Sequence, residues 1–446
     1  MPLSHSSSTM KERLKQVTAR WRQARWHQAV VWVLRLVLGG VFIFSGLAKA
    51  IDPWGSFYKF TEYAQAMHVE WGSAVLLLAA FAVAIVETML GVLVLVGAYR
   101  RGAPVLLLMM MAVMVPLTLW LAVTDAVPDC GCFGDAWVIS NTATAVKNVL
   151  LTLGLLYLLA FNRTMPSLYG PAVHWLVAAL SFALPLALGL WGYFTQPLID
   201  FRPFKVGTMI APAADQAGDD DYVFIYSRDG VEHTFTMDSL PDEEDGWSFV
   251  DRRKRTPEPT PAQRAQQQVI TLYDEGVDVT DEVLTRSGDR LLLLFPDLPH
   301  VDISATYVIN QLNEWAGAHN VDVVGVTSGV TRDVLWWNDI SMATYPMLMA
   351  DDTDIKMVAR GNPAVVLVSD GKVAWKRTLS SLAATPLDEV DDVKRMSDDF
   401  VPAAIARRLF MAYLLAMLAL LVLNRFPKAV MWLVRPFRRR ARKEKE

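Results

Sequence analysis

The chain has 446 residues, of which 53% are hydrophobic and 20% are charged, and this composition excludes a disordered, fibrous or collagen-like protein. Its two cysteines exclude a small secreted scaffold held together by several disulfides. The formal net charge is −4, but residues 200–400 alone carry −18 and the remainder carries +14, so the two parts are suited to different surroundings.

Apolar segments long enough to cross a membrane, about 20 residues each, recur outside the acidic block. Hydropathy predicts six such spans, at residues 28–51, 73–98, 103–124, 142–161, 172–194 and 404–424. The first follows a basic stretch, as a signal peptide does. Its apolar core is longer than the roughly 7–15 residues of a cleaved signal, so we expect an uncleaved anchor.

The flanks of these spans predict their orientation, because Lys and Arg accumulate on the cytoplasmic side. Basic residues lie in the tail 1–27, at Arg100 and Arg101, at Arg163 and in the tail 425–446. If the chain crosses the membrane six times, these four segments lie on the same side of it. We therefore predict a bacterial inner-membrane protein with both termini in the cytoplasm. The basic C-terminal tail favours contact with anionic membrane lipid over nucleic acid.

The acidic block is predicted to lie outside the cytoplasm and to have two parts. Residues 196–286 open with a hairpin pattern, YVFIYSR and VEHTFTM around Asp229–Gly230, followed by a charged, proline-rich stretch, Asp242–Pro261, that is typical of a loop or linker. Residues 287–400 alternate strand and helix patterns, which indicates an α/β layer. The predicted elements are a strand at Arg290–Phe295, a helix at Ser304–Ala318, a strand at Val321–Thr327, a helix at Thr331–Met342 and a hairpin around Asp370–Gly371.

Over about residues 280–395 this order resembles the second half of a thioredoxin fold, including Asn362–Pro363 directly before the strand AVVLV. The resemblance implies that Pro363 is cis and lies beside the position of the redox cysteines. That family has Cys-x-x-Cys where this chain has the cysteine-free segment Pro296–Ser304. Two interpretations stay open, a module kept for docking or packing and a surface that binds a peptide or partner protein.

The only cysteines, Cys130 and Cys132, lie in the sequence DCGCFGD between Asp129 and Asp135, in a loop predicted to face an oxidising compartment. Gly131 supplies the backbone freedom that closure of so small a ring needs. Such a disulfide would stabilise the fold little, and strain would make it easy to reduce. The pattern indicates a redox-active pair, while a structural turn disulfide and a soft-metal site for copper(I) stay open.

Four further charged residues are candidates. Lys49 and Lys147 lie near the predicted outer ends of their spans, where a cation would favour a thiolate, unless both only extend to the lipid headgroups. Counted from the cytoplasmic end of each span at ~1.5 Å per residue, Arg35 and Glu87 both lie at a depth of ~10–15 Å in the membrane. We predict an ion pair between them, either a quinone or proton site or a contact that fixes helix packing. The scattered histidines show no zinc-ligand spacing.

The membrane part resembles the DoxX superfamily and, within it, the branch that includes the methylamine-utilisation protein MauE. The resemblance covers about residues 28–161. It is carried by Arg35, by GGVFIFSGLAKAIDP (Gly39–Pro53), by Glu87–Gly91 and by DCGCFGDAWVISNTATAVKN (Asp129–Asn148). It implies a four-helix membrane bundle associated with thiol or sulfur redox, quinone-linked electron transfer or maturation of extracytoplasmic proteins.

The fold class predicted is thus an α-helical membrane protein, a four-helix DoxX-like bundle plus two further transmembrane helices, with an extracytoplasmic α/β thioredoxin-like domain. The leading hypothesis is that Cys130 and Cys132 exchange electrons with an extracytoplasmic thiol protein, with a quinone as a candidate carrier. This would be a thiol–disulfide or quinone-linked oxidoreductase. The alternative is a non-catalytic membrane scaffold or assembly factor that binds a client protein.

Overall fold

The computed structural model describes residues 25–210, 222–228, 231–236, 240–241, 247–254, 270–284, 287–398 and 401–443. One unit comprises the described residues up to Tyr193, Pro197–Ile199 and the residues from Pro402; the other comprises Phe194–Gln196 and Asp200–Val401. The predicted hairpin turn, residues 1–24 of the N-terminal tail and most of the predicted linker lie outside the described residues.

The secondary structure changes from helical to mixed along the chain. The helices before the acidic block are α1 (Arg25–Ile51), α2 (Pro53–Ala66), α3 (Ser73–Val96), α4 (Gly102–Thr124), α5 (Asn141–Ala160) and α6 (His174–Phe194). The block contains β1 (Tyr222–Arg228), β2 (Val231–Thr236), β3 (Ser248–Lys254), β4 (Tyr273–Asp274), β5 (Val277–Asp278), α7 (Thr280–Leu284), β6 (Asp289–Phe295), α8 (Ala305–Ala318), β7 (Asp322–Thr327), α9 (Thr331–Ser341), β8 (Met347–Met349), α10 (Asp352–Val358), β9 (Ala364–Ser369), β10 (Lys372–Thr378) and α11 (Leu379–Leu382). The last helix is α12 (Pro402–Lys443).

Six helices among the described residues are long and apolar enough to cross a membrane, which confirms the six predicted apolar segments. Their candidate spans are Trp26–Ile51, Ser73–Val96, Gly102–Thr124, Asn141–Ala160, Pro171–Phe194 and Val393–Arg425. Helix α2 was not predicted and is not one of them. It begins where the Asp52 carboxylate accepts a hydrogen bond from the backbone N–H of Gly55 at 2.9 Å and Pro53 occupies the first turn.

Close contact between small residues sets the register of α1 against α3. A Cβ built at Gly46 would lie 2.5 Å from the backbone nitrogen of Thr88, and one at Gly91 would lie 2.8 Å from the backbone nitrogen of Ile43. Any larger residue would force the helices apart. This register brings Glu87 level with the C-terminal part of α1.

The same register brings Arg35 to the opposite end of α3. Its guanidinium is fully buried and donates hydrogen bonds to the carbonyls of Val94 at 3.1 Å, Leu95 at 2.6 Å and Pro166 at 2.7 Å. The backbone N–H of Leu168 donates to the next carbonyl, that of Val96, at 2.9 Å. Arg35 therefore satisfies carbonyls that the end of a helix leaves without an intrahelical partner.

The α/β unit is organised around a seven-stranded sheet in the order β10-β9-β6-β7-β8-β4-β5. Strands β6, β7 and β8 are parallel, and β9 pairs antiparallel with β6. The central strand is buried on both faces: Leu291, Leu293 and Phe295 belong to one apolar core and Leu292 and Leu294 to another. A fully apolar strand of this kind is expected where both faces are covered.

The predicted α/β elements between residues 290 and 378 are confirmed to within two residues at their ends, and the hairpin between β9 and β10 turns at Asp370 (φ +48°) and Gly371 (φ +75°). Two expectations for residues 196–286 were wrong. Ser248–Lys254, predicted as linker, is strand β3 and pairs with β1, which also pairs with β2. Strands β4 and β5 precede the predicted boundary at residue 287 but belong to the seven-stranded sheet.

A buried group of charges fixes the start of the α/β unit to its edge strand. The Asp200 carboxylate accepts hydrogen bonds from Lys376 Nζ and Arg202 Nε, each at 2.9 Å. Burial, with the nearby Arg202 charge, lowers the pKa of Lys376 to about 7. These side chains are enclosed within one unit, so their role is to hold residues 200–202 against β10.

Candidate functional site

The two cysteines lie in the loop that connects α4 to α5. The loop leaves α4 at Asp125 and enters α5 at Ser140, whose hydroxyl accepts a hydrogen bond from the N–H of Ala143 at 3.3 Å. At the start of α5, the Asn141 side-chain amide donates to the carbonyl of the loop residue Val127 at 2.9 Å. The loop is thus tied to α5 before the cysteines begin.

Cys130 and Cys132 are both free thiols, and they differ in exposure. Cys130 is 8% exposed and packs in an apolar cluster with Tyr63 and Leu121, whereas Cys132 is half-buried. Gly131 between them has φ +60°, a conformation that favours glycine.

Helix α2 closes over the Cys130 side of the loop. The Tyr63 hydroxyl donates a hydrogen bond to the carbonyl of Cys130. Lys59 Nζ lies 3.0 Å from Asp129 Oδ2, and Asp129 Oδ1 accepts the N–H of Gly131 at 2.8 Å. Three contacts therefore fix the backbone from residue 129 to residue 131.

A buried ion pair holds the carbonyl of Cys132 from the other side. Lys49 Nζ lies 2.9 Å from Glu87 Oε2 and donates to the Cys132 carbonyl at 2.5 Å and to Ser45 Oγ at 2.8 Å. The Ser45 hydroxyl, with one proton to donate, lies 2.7 Å from the Glu87 carboxylate and 2.6 Å from the Cys132 carbonyl. All three ammonium protons of Lys49 thus have acceptors. We call Lys49, Glu87 and Ser45 the carbonyl clamp.

The predicted ion pair between Arg35 and Glu87 was wrong. Glu87 pairs with Lys49, and Arg35 is bound to backbone carbonyls at the other end of α3. Counting depth from the end of each span failed because α1 extends beyond the end of α3. Gly46 of α1 packs against Thr88 of α3, so Lys49, one turn after Gly46, reaches Glu87.

A hydrogen bond between the two cysteine side chains shifts their pKa values in opposite directions. A hydrogen bond from the Cys130 thiol, opposed by burial and assisted by the Lys147 and Lys49 charges, lowers the pKa of Cys132 to about 6. The same hydrogen bond, together with burial, raises the pKa of Cys130. Lys147 lies 4.2 Å over the ring of Phe133, which fixes the cation beside the loop. The pair is therefore suited to one thiolate and one thiol at neutral pH.

Replacing Lys147 with methionine is expected to raise the midpoint of the alkylation profile of Cys132 by about one pH unit, because a nearby cation favours the thiolate. Reduced protein is alkylated with iodoacetamide from pH 4 to pH 10, and Cys132 labelling is followed by fragment mass spectrometry. Lys147→Arg keeps the charge and should leave the midpoint near 6. Arg101→Met removes an exposed cation outside the loop and serves as the control. An unchanged midpoint in Lys147→Met would contradict the assigned role.

The structure brings together six of the predicted residues, Cys130, Cys132, Lys49, Lys147, Glu87 and Asp129, around one loop. Asp135 lies in the adjacent turn Gly134–Ala136 and is exposed. Arg35 is remote from the loop. Three contributors were not predicted: Ser45, Tyr63 and Lys59. Ser45 is four residues before Lys49 on α1, so helical spacing could have indicated it, whereas nothing in the sequence pattern pointed to Tyr63 or Lys59.

Pro363 lies in the α/β unit, and the Asn362–Pro363 peptide bond is cis, the conformation that the thioredoxin resemblance implies. The Asn362 side chain donates to the carbonyl of Asp297 at 2.6 Å and accepts its N–H at 3.2 Å. The proline therefore adjoins the cysteine-free segment Pro296–Ser304.

Neither a metal nor a quinone finds a suitable set of predicted residues. Among the described residues, no three His, Cys, Asp or Glu side chains come together as metal ligands. Arg35 and Glu87, which sequence reasoning offered for a quinone, are separate and already bound to carbonyls and to Lys49. They do not fit a quinone, and a quinone elsewhere stays a prediction.

The basic connections lie at the end of the helical unit opposite the cysteine loop. Leu168, after α5, bonds to Val96 at the end of α3, and Arg425 near the candidate span of α12 donates to the carbonyl of Leu168 at 3.0 Å. Arg100 and Arg101 lie in the short connection between α3 and α4 at this end. The cysteine loop instead contacts the C-terminal end of α1.

Two parts of the chain match family models. Residues 27–161, which run from the third residue of α1 to just past the end of α5, match the model described as methylamine utilisation protein MauE. Residues 221–256, which contain β1–β3, match a domain of unknown function, DUF8463. No curated protein and no solved structure matches the chain. The wider DoxX relationship and the thioredoxin-like fold stay predictions. With six candidate spans and the family match, the chain is a multi-pass membrane protein that carries a MauE-like region at residues 27–161.

Proposed function

We propose that this protein is a membrane-bound thiol–disulfide exchange protein whose reactive centre is the Cys130–Cys132 pair. The observation that carries the proposal is the arrangement of the two thiols: adjacent, unequal in acidity and held by backbone contacts on both sides. A purely structural turn would not need two lysine charges that both act on the thiols. A perturbed thiol held in this way is typical of a redox pair.

In the proposed reaction, a disulfide on the partner protein is the oxidant and the Cys130–Cys132 dithiol is oxidised. One thiolate of the pair attacks a partner sulfur, so that a mixed disulfide forms and the partner's other sulfur leaves as a thiolate. The second cysteine loses its proton and attacks the mixed disulfide, which closes the Cys130–Cys132 bond and releases the reduced partner. Two electrons pass from this chain to the partner, and the reverse sequence reduces the pair.

The partner is proposed to be extracytoplasmic. The basic connections lie at the end opposite the cysteine loop, and the positive-inside rule assigns that basic end to the cytoplasm. The loop would then face the compartment where disulfides persist, in the bacterial inner membrane. The name of the matched family refers to methylamine utilisation, and the trapping experiment described below tests whether the partner belongs to such a system.

The α/β unit is proposed to be thioredoxin-like and to bind the partner rather than to carry electrons. The order β6-α8-β7-α9, the antiparallel hairpin of β9 and β10, and the cis proline before β9 support this assignment. All cysteines of the chain lie in the α4–α5 loop, so the unit has no thiol of its own.

The test is a redox titration of the full-length protein in lipid vesicles. We expect the Cys130–Cys132 pair to change between dithiol and disulfide in glutathione buffers, with the fraction of each followed by thiol-specific mass tagging. An impermeant maleimide should reach the pair only from the extracytoplasmic face. In cells, a single-cysteine variant should trap a mixed disulfide with a partner that mass spectrometry identifies.

A non-catalytic scaffold makes the opposite prediction. Its cellular function would survive Cys130→Ser/Cys132→Ser, and no mixed disulfide would accumulate. Labelling of the pair from the cytoplasmic face alone would contradict the proposed location of the exchange.

A further inference from the structure

We propose that Cys132 forms the mixed disulfide with the partner and that Cys130 is the resolving cysteine. This order rests on the proposed function and gives the two sulfurs distinct roles. It makes the second cysteine of the Cys-Gly-Cys sequence the one that meets the partner.

Access is the first reason. Cys130 is 8% exposed, within an apolar cluster that includes Tyr63 and Val127, and α2 is bound across it by the Tyr63 hydroxyl. Cys132 is half-buried and packs only at the margin of that cluster. A disulfide on another protein must reach its attacking sulfur, and Cys132 is the less enclosed residue of the pair.

Local chemistry points the same way. The Cys130 thiol donates its hydrogen bond toward Cys132, so the attacking form, the thiolate, is favoured on Cys132. The Lys147 and Lys49 charges act in the same direction on Cys132. Cys130 keeps its proton until the mixed disulfide has formed, as a resolving cysteine requires.

The backbone contacts keep the resolving sulfur within reach. The carbonyl clamp holds the Cys132 carbonyl, and Tyr63 with Lys59 holds the Cys130 side. Because the chain has two cysteines, a mixed disulfide at one of them is resolved within the chain only by the other. Gly131 is the single residue that separates them.

The test compares Cys130→Ser with Cys132→Ser in the full-length protein in lipid vesicles, with glutathione disulfide as the probe. We expect Cys130→Ser to accumulate a stable glutathione adduct on Cys132, formed at least tenfold faster than any adduct in Cys132→Ser. Wild-type protein should instead end as the internal disulfide and release two molecules of glutathione for each disulfide consumed.

A second measurement needs no substitution. Reduced wild-type protein is treated with limiting iodoacetamide, and fragment mass spectra assign the label, which should appear on Cys132 first. Faster adduct formation in Cys132→Ser, or first labelling of Cys130, overturns the proposed order and leaves the exchange function intact. Failure of wild-type protein to react with glutathione disulfide at all overturns the exchange function and the order together.

Discussion

Replacing Lys49 with methionine is expected to lower the free energy of unfolding of the helical unit by about 3–5 kcal/mol. Lys49 and Glu87 are each 5% exposed, and their side chains are 2.9 Å apart. Without the ammonium, the Glu87 carboxylate keeps only the Ser45 hydroxyl, and the Cys132 carbonyl loses its shortest contact. Burial of a charge without its counter-ion accounts for the size of the expected loss.

The measurement is SDS-induced unfolding of the purified protein at pH 7, with the double variant Lys49→Met/Glu87→Leu as the control. Apolar replacement of both partners of a buried ion pair is often neutral, so the double variant should be more stable than Lys49→Met alone. If the double variant is at least as unstable as the single one, the buried carboxylate is not the source of the loss.

Replacing Arg35 with methionine is expected to lower the free energy of unfolding by about 2–3 kcal/mol, without changing the reactivity of Cys132. The guanidinium is fully buried and donates to three carbonyls, two at the end of α3 and that of Pro166 after α5. Methionine fills part of the space and offers no donor. The carbonyls of Leu95 and Pro166 would lose their 2.6 Å and 2.7 Å contacts.

Arg101→Met is the matched control, because Arg101 is exposed in the turn that follows α3, and we expect its stability to stay within about 0.5 kcal/mol of wild type. Cys132 alkylation at pH 6 is measured on the same samples. An Arg35→Met variant that keeps full stability but reacts differently at Cys132 would contradict the structural role and restore a functional one.

Several elements could be predicted because local physics decides them. A bilayer requires about 20 apolar residues in succession, so all six spans are evident from hydropathy. The apolar strand Asp289–Phe295 and the Asp370–Gly371 turn carry equally local signals. The choice of the Cys-Gly-Cys loop as the candidate site also follows from the sequence, since all cysteines of the chain lie there.

Other elements needed pairing between distant segments. Ser248–Lys254 has the sequence SFVDRRK, whose charges favour a loop, and it becomes a strand because β1 supplies its hydrogen-bonding partner. Helix α2 is a second example. Its N-terminal cap at Asp52 is a local signal, whereas its position over Cys130 depends on contacts with a distant segment. Tyr63 and Cys130 are 67 residues apart, a contact that no spacing rule predicts.

The sequence by itself therefore determined the apolar spans, the α/β pattern and the position of both cysteines in one loop, because hydropathy, strand and turn preferences and cysteine content are properties of short segments. Only the tertiary structure decided how the charges pair. Contact at Gly46 and Gly91 sets the register between α1 and α3. In that register Glu87 forms its ion pair with Lys49 and not with Arg35. Helix register depends on packing between two surfaces, and a depth counted along each helix separately does not contain it.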